Sequence, residues 1–148
     1  MVFVRGCFLP EDIYYLIDRH VWALPMGGDL VRIGITSVAV HLCGKKLTGI
    51  TLKTDSIGQV IKQGKSVAII ETSKYVGPVP ATVTGILLRG NDALTDDPTL
   101  VIDDPYEAGW IAEIKATNWE AERASLATGP DGVAAYQAKL EAEGIWCS

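Results

Sequence analysis

Apolar and β-branched residues recur along this chain in short runs, at positions 13–17, 31–35, 46–52, 59–61, 67–70, 76–83, 86–88, 99–102 and 110–114. Glycine-rich or polar steps separate them, among them Gly27-Gly28-Asp29, Gly44, Gly64 and Gly90-Asn91-Asp92. Many short strands at close spacing predict a mainly β sandwich or barrel rather than βαβ units. Gly58-Gln59-Val60-Ile61-Lys62-Gln63-Gly64 is echoed by Gly85-Ile86-Leu87-Leu88-Arg89-Gly90, which predicts a duplicated sheet with its halves face to face. Trp110, inside an apolar run, is expected in the core.

Helices are secondary in this pattern. Residues 34–42 predict a short helix after a strand, capped by Thr36 or Ser37. Thr117-Asn118-Trp119-Glu120 reads as a capping box opening a helix to about residue 127. Pro130 then falls in a first helical turn and Gly144 just past a helix end. Between them Val133, Tyr136 and Leu140 share one face, so this last helix is expected to pack through that stripe and to be a polar surface appendage elsewhere.

One stretch carries chemistry. The run 67–70 leads into Glu71-Thr72-Ser73-Lys74, and a second extended run follows from Tyr75 to Val83. Apolar runs around a short polar break are the hairpin signal. Pro78 and Pro80 cannot donate to a ladder, so the second run belongs at an edge. This predicts Lys74 at a solvent-facing hairpin tip on a rigid support, a geometry suited to a covalently tethered cofactor arm.

Glu71-Thr72-Ser73-Lys74 with the following Pro-Val-Pro-Ala-x-Val-x-Gly resembles the lipoyl-attachment segment of the glycine cleavage system H-protein family. The resemblance continues through residues 91–102 and through Asp104-Pro105-Tyr106-Glu107-Ala108-Gly109-Trp110, similar to the family's Asp-Pro-Tyr-x-x-Gly-Trp signature. His20-Val21-Trp22 and Val31-Arg32-Ile33-Gly34-Ile35-Thr36 stand where the family carries its His-x-Trp and Val-Gly-Ile-Thr segments. It covers roughly residues 14 to 127.

The resemblance implies a flattened lipoyl/biotinyl-type hybrid β-barrel sandwich. The carrier domain spans 1–127, with a C-terminal helical extension over 128–148. It also implies lipoate on Lys74, with Glu71, Ser73 and Tyr75 read by the attaching enzyme or shielding the root of the arm, and His20 and Trp22 lining a groove for the arm. The carrier is not itself an enzyme; the chemistry belongs to the cofactor and the partners. Biotin is the rival on this fold, but biotin carriers flank the lysine with methionines, where this chain has Ser73 and Tyr75.

Several features depart from the family: Ser73 and Tyr75 around the lysine, the opening with Cys7, and a tail closing on Trp146-Cys147-Ser148. They resemble the H-protein-like lipoate-binding proteins of heterodisulfide-reductase-like sulfur oxidation. Sulfur is therefore the expected cargo, with Cys7 and Cys147 as candidate redox thiols. The alternatives are an aminomethyl carrier for glycine cleavage and an unmodified scaffold. Implied partners are a lipoate ligase or lipoyl transferase, dihydrolipoamide dehydrogenase, and either the heterodisulfide-reductase-like complex or the glycine cleavage enzymes.

Net charge is −5 and the basic residues are scattered, with Lys45-Lys46 the one adjacent pair. A basic stripe, the mark of a nucleic-acid binder, is absent from the sequence. The acidic balance favours docking on basic partner surfaces. Apolar runs are too short to span a bilayer, and a cytoplasmic protein is expected. Three cysteines do not describe a disulfide framework in that setting, and Cys43 reads as a buried small hydrophobe. Asp96-Asp97 and Asp103-Asp104, with prolines following, read as turn residues rather than metal ligands. His20 and His41 lack metal-ligand spacing with any cysteine.

Overall fold

A computed structural model describes residues 2–73 and 76–147. The strands are β1 (Phe3–Val4), β2 (Cys7–Phe8), β3 (Tyr14–Leu16), β4 (Val21–Gly27), β5 (Leu30–Ile35), β6 (Gly49–Leu52), β7 (Val60–Ile61), β8 (Ser66–Glu71), β9 (Val76–Pro80), β10 (Gly85–Gly90), β11 (Ala112–Ala116) and β12 (Ala127–Thr128). Among the described residues five α-helices accompany them: α1 (Ser37–Leu42), α2 (Ala93–Asp96), α3 (Leu100–Asp103), α4 (Trp119–Arg123) and α5 (Gly129–Glu143).

The strands form a seven-stranded sheet of order β12-β3-β4-β5-β11-β10-β7, a three-stranded sheet β6-β8-β9 and the hairpin β1-β2. Among the described residues every strand pairing is antiparallel, as short connections allow. The two larger sheets share one core: Val31, Ile33, Leu87 and Ile114 from the first meet Val67, Ile70 and Val79 from the second. The Thr82 hydroxyl, wholly buried, ties the layers by donating to the Trp22 carbonyl at 2.9 Å. This is the mainly β architecture the alternation predicts, and among the described residues β9, with its two prolines, is an edge strand paired to β8 alone.

Four details differ from expectation. The echoed segments do not face each other across the core, because β7 and β10 pair side by side, Gly85 opposite Ile61. The run 99–102 is helical as α3: Pro98 cannot enter a ladder, and the Asp97 carboxylate accepts from the Thr99 amide at 3.2 Å, closing a turn. Trp110 precedes β11, is half-buried, and stacks with the Arg32 guanidinium 4.6 Å from its ring. The capping box does not form, since Asn118 caps α4 without a side-chain hydrogen bond and that helix ends at Arg123.

The ends of the chain are built into a second core. Val133, Tyr136 and Leu140 of α5 bury their stripe against Val4, Leu9, Tyr15, Trp22 and Val38. Pro130 lies in the first turn of α5, and Gly144 caps it at φ 67°. So α5 packs through the predicted stripe, and most of its other positions are exposed. The expected separate thiols also give way to a bond: Cys7 and Cys147 form a disulfide across 140 residues of sequence. The β1-β2 turn brings them together, with the Cys147 amide donating to the Arg5 carbonyl at 2.9 Å. Gly6, at φ +78°, allows this approach, because a Cβ there would stand 2.1 Å from the Cys147 carbonyl oxygen. Cys7 is wholly buried, so neither cysteine is a free surface thiol.

Candidate functional site

The hairpin β8-β9 is supported from beneath. Val67, Ala68, Ile70 and Val79 point into the core, while β6 pairs along the far edge of β8. Glu71 ends β8 opposite both Gly49 and Val76, and its carbonyl accepts from the Thr48 amide at 2.8 Å. The Glu71 side chain is exposed, as is Ser73, and Val76 is 65% exposed where β9 begins. Lys74 and Tyr75, the attachment residue and its neighbour, lie outside the described residues. The strands that bracket them form a fixed base whose outer end faces solvent.

Beside this end lies a cavity of about 570 Å³, lined by His41, Leu42, Cys43 and Lys46 from α1 and the segment after it, and by Thr72 and Ser73. The Thr36 hydroxyl caps α1, accepting from the Ala39 amide at 3.4 Å. Leu42 is 49% exposed, whereas Cys43 is buried in the main core. The pattern at 34–42 predicts the helix, but no signal in the sequence places its C-terminal end beside Thr72 and Ser73.

Trp22, expected along an arm groove, lies inside the frame. Trp22 is wholly buried, and its indole N–H donates to the carbonyls of Ile35 at 2.9 Å and Pro105 at 3.1 Å. His20 is half-buried, its Nδ1 2.6 Å from the Tyr136 hydroxyl, which lies 2.9 Å from the Thr36 hydroxyl. Burial pushes the His20 imidazole down from its ordinary range. These contacts lock α5 and β5 to β4, with Trp22 inside the frame and His20 at its half-buried edge.

The other signature residues also hold the frame. The Tyr106 hydroxyl donates to the Phe8 carbonyl at 2.7 Å and accepts from the Ser37 amide at 2.9 Å. The buried Asn91 amide donates to the carbonyls of Ala108 and Trp110. Asp97 and Asp104 accept from backbone amides two and four residues on, as turn residues do. Among the described residues no cluster of three or more His, Cys, Asp or Glu could hold a metal ion. Among them, too, no helix is long and apolar enough to cross a membrane.

Two β layers with a hairpin at a sheet edge leave the strand ends at Glu71 and Val76 open to solvent. Comparison with known proteins makes the class specific. The family model described as "Glycine cleavage H-protein" matches residues 13–139. A relative named "Glycine cleavage system H protein 5" from Aquifex aeolicus is 39% identical, covering 99% of each chain. "Probable glycine cleavage system H protein 2" from Sulfolobus acidocaldarius is 36% identical over 99% of this chain and 97% of its own. A crystal structure of a glycine cleavage system H protein from Mycobacterium marinum is similar with a TM-score of 0.72 and 30% identity, covering 93% of this chain and 100% of that one. The chain belongs to the glycine cleavage H-protein family. That family consists of lipoyl carriers, which act for partner enzymes rather than as catalysts.

Proposed function

We propose that this chain carries lipoate on Lys74 and shuttles an aminomethyl group between a glycine decarboxylase, an aminomethyltransferase and dihydrolipoamide dehydrogenase. The observation that carries this reading is the hairpin β8-β9. Its strands are held by the core and by β6, and the exposed Glu71, Ser73 and Val76 flank the attachment segment. An amide-linked arm needs no polar cage at its root, only an open strand end on a rigid base, and that end fits it. When attached, lipoate supplies the dithiol chemistry. The chain supplies position: tethering raises the effective concentration of the reactive end at each docked partner.

Local residues have defined parts. The Glu71 carboxylate, exposed at the strand end, is available to the lipoate ligase or lipoyl transferase, and Ser73 and Tyr75 complete the segment that enzyme reads. The Glu71 carbonyl, held by Thr48, fixes the direction in which the segment leaves the sheet. A sulfur cargo is the weaker reading. Its motive lay in the departures at Ser73, Tyr75 and the two ends, and of these Cys7 and Cys147 are bonded to each other. The relatives named above carry glycine cleavage names, which favours the aminomethyl group.

Cargo is tested with lipoylated protein, incubated once with glycine and purified glycine decarboxylase and once with a sulfane-sulfur donor. Aminomethyl loading of the arm without a sulfur adduct is expected. Sulfur uptake without aminomethyl loading would replace this reading by the sulfur carrier.

A further inference from the structure

We propose that the groove between α1, β2 and the Asp103–Trp110 segment is a docking site for partner proteins, taking a segment that presents a lysine or arginine beside a bulky apolar side chain. The groove encloses about 890 Å³. Its walls are apolar, with Phe8, Pro10, Ile13, Leu24 and Trp110 among them, and its charged lining is acidic: Asp12, Asp103, Asp104 and Glu107. Among the described residues Arg32 is the single cation in that lining, stacked on Trp110 and already paired. It donates at 2.9 Å to Glu113, whose side chain is only 4% exposed. None of the four lining carboxylates is in an ion pair among the described residues. Carboxylates around low-dielectric walls focus a negative field, which selects a cation. The apolar walls select the stem and neighbour that accompany it.

The walls are fixed in advance. The Phe8 carbonyl accepts from both the Tyr106 and the Ser37 hydroxyls at 2.7 Å, and its ring meets the Tyr106 edge at 5.6 Å. The Cys7–Cys147 bond anchors the neighbouring residue. A preformed wall loses little entropy on binding. Position gives the groove its meaning. Ser37 and Val40 of α1 face it, whereas His41 and Leu42 face the cavity shared with Thr72 and Ser73. A segment in the groove therefore lies about one helix diameter, ~10 Å, from the cavity beside the Lys74 hairpin. That relevance rests on the carrier reading: a partner anchored here holds its own active site over the arm.

The test uses the full chain with Lys74→Arg, so that lipoylation plays no part in it. Peptides alternating lysine with leucine, and matched peptides alternating glutamate with leucine, are titrated by amide NMR. The basic peptide should shift Phe8, Asp103, Glu107 and Trp110. The exposed double variant Asp103→Asn/Glu107→Gln should weaken its binding about tenfold, as loss of two facing charges implies. No shifts, shifts only elsewhere, equal shifts with the acidic peptide, or undiminished binding in the variant would each overturn the proposal. Failure here leaves a lipoylation result at Lys74 standing, and failure of lipoylation leaves this titration unaffected.

Discussion

Trp22 lies directly against Gly34, its partner across β4-β5, so closely that a Cβ on Gly34 would stand 2.6 Å from the indole ring. Two family signatures, His-x-Trp and Val-Gly-Ile-Thr, are thus the two halves of one contact. Gly34→Ala should destabilise by about 1–3 kcal/mol through overpacking, and Trp22→Ala by about 3–5 kcal/mol through the cavity it leaves. Denaturant melts measure both. Wild-type stability in Gly34→Ala would show that the ring has room to retreat.

The terminal disulfide closes nearly the whole chain into a loop, so its contribution falls mainly on the unfolded state. Reduction should lower stability by about 3–5 kcal/mol, read as a shift in urea midpoint with and without a phosphine reductant. The double variant Cys7→Ser/Cys147→Ser should be insensitive to the reductant. A wild-type midpoint that ignores complete reduction, checked by thiol labelling, would contradict this.

His20 gives the fold a pH dependence of known sign. Burial lowers its folded pKa below the ordinary 6.5, so the unfolded chain binds the proton first as pH falls. Its contribution is full above the ordinary value and drains as pH drops from there toward the lowered folded value. Wild type should lose stability between neutral and mildly acidic pH, and His20→Asn should flatten that segment of the profile. An unchanged slope in His20→Asn would assign the dependence to other groups.

Much of the frame was legible from residue order alone. Runs 31–35 and 67–70 alternate or cluster as buried strands do, and both fall inside observed strands, β5 and β8. Run 99–102 was not legible, because a four-residue apolar run reads equally as strand or helix. There Asp97 and Pro98 decide the turn, and Val101 is buried from a helix instead. Pairing of Cys7 with Cys147 was invisible because no spacing rule spans 140 residues; it depends on where the β1-β2 turn meets the tail. The hairpin base at Glu71 and Val76 followed from the prolines and the polar break. The acid-lined groove did not, since its walls come from five separated stretches of chain.

On the carrier reading Lys74 is the lipoyl-bearing residue, which intact mass and peptide mapping test most directly after incubation with a lipoate ligase, lipoate and ATP. One lipoyl addition is expected, confined to the peptide containing Lys74 and abolished in Lys74→Arg. Addition at another lysine, or a modified Lys74→Arg protein, would contradict the account.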